Sequence, residues 1–564
     1  MSMITATSWV PRGFAAPFPT RYVFDEEEYE RISKLAKLEL NDAKGDLEQA
    51  RQDEGRSNGT PVSGANADAG AEDEDEQVWV LKLTPLRMAV DDDDLKEYDL
   101  EHYDDDPDGN PEIAEDGEAG TMSMFGNVKS LAYHASNVED PYITLADNED
   151  PDEEEREELQ IMPSDNLVLA ARVEDEVAHL EVYVYEDEAD NLYVHHDIML
   201  PAIPLAVEWL DMPVGKDAAS KRADGKGNFV AIGTMDPDIE IWDLDTIDCM
   251  YPNAVLGQAS DAAPSDPTTA KRKKKRKSKK INDHYHIDAV LSLAANRAHT
   301  HLLASASADT TIKLWDLNSC SCAKSYTHHT DKVCSLAWHP TESTVLLSGS
   351  YDRTVAAADM RAPDAKAPRW GVESDVEQVR WDPFDQHVIY VSTESGCLHA
   401  FDARNAPASP GQSKPIWTLQ AHEKALSSFS LNPAVPGFIA TGSMDKSVKL
   451  WNVSPSSGGP SMVVSRDLGL GKIFSVNFAP DDEVAFRLAV GGSKGAIQVW
   501  DTSTNKAIRE AFAGRIAPEK LSVEKEERIV AVEQDESESS SDGEEDGNEG
   551  DVKEGADGWE SMEE

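Results

Sequence analysis

Cysteine is scarce in this chain of 564 residues, which contains Cys249, Cys320, Cys322, Cys334 and Cys397. An odd number without a framework spacing argues against a disulfide-stabilised secreted protein and indicates a reducing compartment. The spacing of Cys320 and Cys322 is too tight for a zinc-binding pair, and no second pair follows. The sequence therefore predicts no metal site.

Long apolar runs are also missing. No stretch reaches the roughly 18 apolar residues that a membrane span needs. The N-terminal segment contains Pro11, Arg12 and Arg21 and has no long apolar core, so it does not read as a secretory signal. We expect a soluble intracellular protein without a membrane partner.

A phosphate-binding loop is a third feature that the chain lacks. Gly491 to Gly495 are rich in glycine and include Lys494. This run lies between two strand patterns, whereas a Walker loop must open a helix. The sequence thus predicts a turn here, and no cofactor or small-molecule substrate.

Basic residues are few relative to acidic ones: 52 Lys and Arg stand against 108 Asp and Glu, a formal net charge of -56. Such a charge destabilises a compact body by self-repulsion, so we expect much of it in solvated segments. The acidic residues are indeed clustered, at 91–94, 104–106, 150–155 and 535–549.

What the chain does contain is an internal repeat. A strand, a tight turn carrying Asp and a second strand recur at 302–316, 345–355 and 438–452. Apolar and polar residues alternate with period two in each copy, which is typical of β-strands. A further strand precedes the copies, as at 333–338 and 425–431.

These copies resemble the WD-repeat family. The aromatic residue that ends the third strand of a WD repeat falls at Trp242, Trp315, Phe401, Trp451 and Trp500, with Ala358 in one weaker copy. A degenerate copy at 166–185 brings the number to seven, the common closed number, and closure protects the strand edges. The resemblance predicts an all-β, seven-bladed WD-repeat β-propeller.

The predicted domain organisation starts at the N-terminus, where residues 3–13 resemble the first strand of a blade. Trp9-Val10-Pro11 is comparable to Trp338-His339-Pro340, and the copy at 166–185 otherwise lacks a first strand. We therefore assign 1–13 to blade 1, 14–160 to an insertion with a helix at about 25–52 and acidic disordered segments, 161–515 to the propeller with a basic loop at 252–282, and 516–564 to an acidic, Ser-rich tail.

The resemblance also implies structural tetrads, in which His, Ser or Thr, Asp and Trp form a buried hydrogen-bonded chain. It assigns one tetrad to blade 3 and one to blade 6: His286, Ser305, Asp309 and Trp315, and His422, Thr441, Asp445 and Trp451. Blade 4 has Ala358 for Trp, blade 5 has Ser395 for Asp, and blade 7 has Lys494 for Asp. A Ser-His-Asp catalytic triad is the alternative, but these residues repeat in each blade instead of converging once. We expect no enzyme activity.

Two charged segments outside the repeats predict functions of their own. Nine of the ten residues at 271–280 are basic, which is typical of nuclear import or contact with nucleic-acid phosphates, although a solvated loop is the alternative. The basic residues are Lys271, Arg272, Lys273, Lys274, Lys275, Arg276, Lys277, Lys279 and Lys280. In the tail, acidic residues follow Ser539 and Ser541, which makes these serines candidate phosphorylation sites.

Several stretches together resemble the periodic tryptophan protein 1 family: 8–10, 95–106, 140–145, 163–167, 193–198, 208–210 and 241–245. The resemblance covers nearly the whole chain. It implies a non-catalytic nucleolar scaffold in large ribosomal subunit biogenesis and pre-rRNA processing. Its implied partners are pre-ribosomal proteins and ribosomal RNA, with a nuclear import receptor for the basic run.

Two alternatives remain open. Acidic tails also suit histones, so a chromatin-binding propeller is one. The other is a ubiquitin-ligase substrate receptor, because Asp359-Met360-Arg361 and Asp402-Ala403-Arg404 resemble the Asp-x-Arg element of such receptors. The missing Trp before Asp359 counts against it.

Overall fold

The structure is a computed structural model that describes residues 2–22, 156, 159–175, 177–215, 226–257, 281–362, 365–454, 459–512, 514–515 and 528–532. Within these residues, seven four-stranded antiparallel sheets surround a central channel. The predicted seven-bladed β-propeller is therefore confirmed. The predicted helix at about 25–52 lies outside the described residues.

Each blade has an inner, a second, a third and an outer strand, and the blades are numbered in chain order. The inner strands are Ser2–Val10, Pro204–Leu210, Val290–Ala295, Val333–Trp338, Val376–Trp381, Ser428–Leu431 and Ile473–Phe478. The second strands are Asn166–Glu174, Phe229–Thr234, Leu302–Ser307, Val345–Ser350, Val388–Thr393, Phe438–Gly442 and Arg487–Gly492. The third strands are Val177–Glu186, Ile239–Asp243, Ile312–Asp316, Thr354–Asp359, Cys397–Asp402, Ser447–Val453 and Ile497–Asp501. The outer strands are Asn191–Leu200, Ala254–Leu256, Ser321–Tyr326, Arg369–Gly371, Trp417–Gln420, Pro460–Asp467 and Arg528–Ala531.

A few short elements lie outside the blades. Thr20–Arg21 pairs in parallel with Thr246–Ile247, which holds the start of the predicted insertion against blade 2. The α-helix Lys506–Phe512 buries Ile508 and Phe512. Among the described residues, 3-10 helices span Pro410–Gln412 and Thr502–Thr504. No helix in the described part of the chain is long and apolar enough to span a membrane.

The core lies between the blades, and the second strands are buried on both of their faces. Their sequences are accordingly apolar or small instead of alternating. Gly442 and Gly491 occupy equivalent places in blades 6 and 7. A Cβ atom at Gly442 would lie 2.5 Å from Val476 Cγ2, and one at Gly491 would lie 2.7 Å from Ile4 Cγ2. Both glycines therefore let the next inner strand pack closely.

Neighbouring inner strands are joined by recurring hydrogen bonds, which blades 3 and 4 illustrate. The backbone N–H of Leu336 donates to Ser292 Oγ at 3.2 Å. The indole Nε1–H of Trp338 donates to the carbonyl of Ala294 at 2.9 Å. One contact satisfies a backbone donor and the other a half-buried ring donor, so this junction is polar and specific.

The N-terminal strand makes the same two contacts across the closing junction between blades 7 and 1. The backbone N–H of Thr7 donates to Ser475 Oγ at 3.2 Å, and Trp9 Nε1–H donates to the carbonyl of Asn477 at 3.0 Å. Ser2–Val10 also pairs with the second strand of blade 1. Residues from the N-terminus thus supply the inner strand that closes the ring.

Two predicted boundaries differ from the observed ones. The outer strand of blade 7, Arg528–Ala531, lies inside the stretch 516–564 that the sequence assigns to the tail. The outer strand of blade 2, Ala254–Leu256, lies inside the loop predicted at 252–282. Both strands are short and stand next to charged or polar stretches, so the sequence pattern does not reveal them.

Candidate functional site

The blade 3 network brings four predicted residues together. His286 precedes the inner strand, Ser305 is in the second strand, Asp309 is in the turn and Trp315 is in the third strand. His286 Nδ1 lies 2.9 Å from Asp309 Oδ2, and His286 Nε2 lies 2.7 Å from Ser305 Oγ. Trp315 Nε1–H donates to Ser305 Oγ at 2.8 Å. The four side chains therefore form one continuous hydrogen-bonded chain.

Electrostatics fix the protonation of this network. Burial alone raises the pKa of Asp309, but the hydrogen bond from His286 and those from Thr311 outweigh it and lower the pKa to about 2. Burial lowers the pKa of His286 despite the adjacent carboxylate. The stable form is a carboxylate beside a neutral imidazole, whose Nδ1–H donates to Asp309. His286 Nε2 then accepts from the Ser305 hydroxyl, and every polar group is satisfied.

The turn itself is shaped by the aspartate. Asp309 Oδ1 accepts from the backbone N–H of Thr311 at 2.9 Å and from the Thr311 hydroxyl at 2.6 Å. Thr310 between them has a φ of 70°, a left-handed conformation. An Asp side chain that bonds the backbone two residues on stabilises such turns. The same carboxylate thus holds both the turn and the buried histidine.

Blade 6 repeats the arrangement. His422 Nδ1 lies 2.9 Å from Asp445 Oδ2, and His422 Nε2 lies 2.8 Å from Thr441 Oγ1. Trp451 Nε1–H donates to Thr441 Oγ1 at 2.9 Å. The second predicted set of four residues is therefore also assembled.

The other copies are incomplete, as their sequences indicate. In blade 4, His329 bonds Asp352 and Ser348, but Ala358 supplies no indole donor. In blade 7, Lys494 occupies the turn position. The Nε1 of the buried Trp500 has no hydrogen-bond partner among the described residues. The completeness of the hydrogen-bonded network therefore differs from blade to blade.

A serine, a histidine and an aspartate within hydrogen-bond distance are also the parts of a hydrolase triad. Here Ser305 is 0% and His286 1% exposed. No substrate atom can reach the hydroxyl, and Trp315 already donates to it. A triad serine must instead be accessible to the carbonyl that it attacks. The geometry supports a structural role for both tetrads.

Metal coordination has no candidate in the part of the chain that the structure describes, where no group of three or more His, Cys, Asp or Glu side chains could hold an ion. Cys320 and Cys322 are free thiols. Burial raises the pKa of both thiols, so neither is poised as a thiolate.

The two Asp-x-Arg elements lie at the ends of the third strands of blades 4 and 5. Arg361 forms an ion pair with Asp359 at 2.7 Å, and Arg404 forms one with Asp402 at 2.9 Å. The arginine side chains remain 74% and 65% exposed. These two guanidinium groups are held in fixed orientations at the surface, where a protein partner can reach them.

The central channel is a second accessible surface, with a volume of about 560 Å³ lined by all seven inner strands. Glu377 lines it, and burial together with Glu394 and Asp375 raises the pKa of its carboxyl to about 7. Arg380 lines it as well, and its side chain is exposed. The channel is polar and unsuited to an apolar ligand.

Sequence reasoning missed a buried ionic cluster between blades 7 and 1. Arg487 Nε donates to Asp187 at 2.6 Å and to the Tyr185 hydroxyl at 3.0 Å. Arg487 Nη1 also pairs with Asp501 at 2.6 Å, and Arg528 contacts both Asp501 and Asp190. Tyr185 and Asp187 lie about 300 positions from Arg487, so no local pattern could have found their contacts with it. The basic run at 271–280 and Ser539 and Ser541 lie outside the described residues.

Comparison with known proteins agrees with this geometry. The family model described as "WD domain, G-beta repeat" matches residues 276–316, 320–356 and 413–452. These ranges contain the turns of blades 3, 4 and 6, where the histidine–aspartate pairs are found.

Similarity to relatives over their full length identifies the family more narrowly than the match to the repeat does. An uncharacterized WD repeat-containing protein of Schizosaccharomyces pombe is 50% identical over 534 residues, covering 94% of this chain and 95% of the relative. Periodic tryptophan protein 1 of Saccharomyces cerevisiae is 39% identical, covering 91% of this chain and 90% of its own length. The periodic tryptophan protein 1 homolog of Drosophila melanogaster is 31% identical over 91% of this chain and 96% of its own. The chain therefore belongs to the periodic tryptophan protein 1 family of WD-repeat proteins.

Proposed function

We propose that this protein is a non-catalytic scaffold in assembly of the large ribosomal subunit and in pre-rRNA processing. The observation that carries the proposal is the full-length similarity to periodic tryptophan protein 1, at 39% identity over 91% of the chain. A shared fold alone would not specify a function, because many propellers share one architecture.

The structure of the propeller supports a scaffold role. Its most enzyme-like groups are the two complete tetrads, which are buried apart from the partly exposed Asp445. The members of each tetrad are hydrogen-bonded to one another. Its accessible features are loops, strand ends and a polar channel, which are suited to protein or nucleic-acid partners.

Charge supports a ribonucleoprotein partner. The nine basic residues at 271–280 fit an import receptor or RNA phosphates, and the acidic segments fit basic assembly factors and ribosomal proteins. We propose that the protein acts in the nucleus and nucleolus, in contact with pre-ribosomal proteins and ribosomal RNA.

Depletion of the protein tests this function. We expect precursors of the large-subunit rRNA to accumulate, and free large subunits to decline on a sucrose gradient while small subunits persist. Unchanged precursor and subunit profiles after depletion would refute the proposal.

A ubiquitin-ligase substrate receptor is a second candidate, because Arg361 and Arg404 are exposed and held by their own aspartates. A ligase adaptor that binds the two Asp-x-Arg elements should no longer bind this protein when Arg361 and Arg404 are both changed to alanine. Recovery of a ligase adaptor by the wild-type chain and not by the double variant would favour this candidate. Recovery of histones without rRNA would instead favour a chromatin-binding propeller.

A further inference from the structure

Four exposed lysines lie next to each other on one face of blades 6 and 7. Lys424 and Lys472 lie in the loops that lead into the inner strands of these blades. Lys446 and Lys494 lie in the turns between their second and third strands. We name these four residues the lysine strip.

Backbone hydrogen bonds show that the lysine strip is contiguous. Ser443 Oγ donates to the carbonyl of Lys424 at 3.3 Å. The carbonyl of Ser443 accepts from the N–H of Lys446 at 3.2 Å and from that of Ile473, which follows Lys472, at 3.1 Å. Ser493 N–H donates to the carbonyl of Lys472 at 2.9 Å, and Lys494 follows directly. The strip therefore runs without a break across two blades.

The positive charge of the strip is not neutralised by the described part of the chain. Glu423 and Asp467 border the strip, but none of the four ammonium groups forms an ion pair with a described carboxylate within 4 Å. The carboxylate of Asp445, which is next to Lys446, bonds His422 and Ser447 instead. Four unpaired cations thus share one surface of a protein whose formal net charge is -56.

On the same face, the turns of the next two blades around the ring are acidic. The turn between the second and third strands contains Asp175 in blade 1, and Asp236 and Asp238 in blade 2. The corresponding turns in blades 6 and 7 contain the lysines. The strip is therefore a local feature of blades 6 and 7, and not a property of the whole face.

The last described residues before the acidic tail lie near the lysine strip. The outer strand of blade 7 ends at Ala531, which pairs with Gln498. Gln498 is only a few residues from the turn that contains Lys494, so the outer strand of blade 7 ends at the same edge of the blade. From there to residue 564 the chain has fifteen acidic residues and one lysine.

We propose that the acidic tail, residues 533–564, binds back onto the lysine strip of its own propeller. A single exposed ion pair contributes little to the free energy of binding, but the contributions of four cations that face a long run of carboxylates add up. Attachment at Ala531 makes the contact intramolecular and gives the tail a high effective concentration at the strip. Any external polyanion must displace the tail before it reaches these lysines. Phosphorylation of Ser539 and Ser541 adds charge and strengthens the contact.

Carbodiimide cross-linking of the full-length monomer tests this contact, because the reagent joins an ammonium to a carboxylate with loss of water only where the two touch. Four exposed lysines on blades 3 to 5 serve as the matched control set: Lys324, Lys332, Lys366 and Lys414. We expect links from the tail to the strip to exceed links to the control set roughly fivefold or more at low salt, and to decline at high salt.

Glu-specific proteolysis of the tail gives an independent measurement. Changing all four strip lysines to glutamine should accelerate cleavage within 533–564 several-fold, whereas changing them to arginine should leave the rate unchanged. The four control lysines changed to glutamine should have no effect, and thermal melting checks that each variant is folded. The proposal would be overturned if the tail formed cross-links equally often with both lysine sets, or if the links occurred only in dimers. Unchanged cleavage of the tail in the glutamine variant would also overturn it. A single-stranded RNA that binds the strip while tail links persist would also overturn it.

Discussion

Single aspartates in the blade turns connect a local turn to the buried core. In blade 6, Asp445 accepts from His422, whose side chain is fully buried, and from Ser447. Its removal leaves the buried imidazole N–H with only a longer contact, to Ser447 Oγ at 3.3 Å. Loss of the main partner of a buried donor costs about 1–3 kcal/mol. We expect Asp445→Ala to lower the free energy of unfolding by that amount, measured by denaturant titration.

Lys494 is the matched control, because it occupies the same turn position in blade 7 without such a network. Lys494→Ala should change the free energy of unfolding by no more than about 0.5 kcal/mol, as for ordinary surface sites. If the two variants were equally destabilised, the alignment of blades 6 and 7 would be wrong.

Glu377 makes the stability of the propeller depend on pH. Burial and the charges of Glu394 and Asp375 raise the pKa of its carboxyl from 4.5 to about 7. Because the folded pKa lies above the unfolded one, its favourable contribution is full below about pH 4.5 and is lost as the pH rises through 7. We expect Glu377→Gln to melt at a higher temperature than wild type at pH 8 and at the same temperature at pH 4. Glu423→Gln, an exposed control, should show no such divergence.

Much of the residue-scale chemistry was predictable and some was not. The tetrads could be predicted because WD repeats place their members at fixed spacing, and the distances place His286 and His422 in closed networks. The cluster around Arg487 was not predictable, because Asp187 and Asp501 reach it from different blades.

At the scale of elements, the N-terminal strand determines whether the ring is closed. Ile4 packs over Gly491, and Thr7 bonds Ser475, as inner strands do elsewhere in the ring. Deletion of residues 1–13 should expose the edges of Asn166–Glu174 and of blade 7, and exposed edges promote aggregation. We expect the truncated protein to elute as oligomers in size-exclusion chromatography. A monomeric truncation with unchanged thermal stability would contradict this role of the strand.

The repeat predicts strands well where apolar alternation and a turn aspartate coincide, as in 302–316 and 438–452. The repeat does not predict the outer strand Arg528–Ala531, because a strand of four residues that follows a polar stretch is too short to show a clear alternation of apolar and polar residues. Outer strands pair with a neighbour on one side only and are partly exposed, so their sequences are weakly constrained.

For the whole molecule, the basic run at 271–280 is predicted to direct nuclear import or RNA contact. Loops tolerate changes in length at small entropic cost, so its deletion should leave the melting temperature near that of wild type. We expect reduced nucleolar accumulation of a fluorescent fusion. Deletion of 258–267, ten residues of the same loop without Lys or Arg, is the matched control. Unchanged localisation and unchanged RNA recovery together would exclude this role.

The most direct test of the scaffold function is affinity purification of the tagged full-length protein, followed by sequencing of the bound RNA and mass spectrometry of the bound proteins. The proposed function predicts strong enrichment of large-subunit rRNA precursors together with large-subunit proteins and assembly factors. A purification that contains histones or a ligase adaptor, with no rRNA above the level of an untagged control, would contradict it.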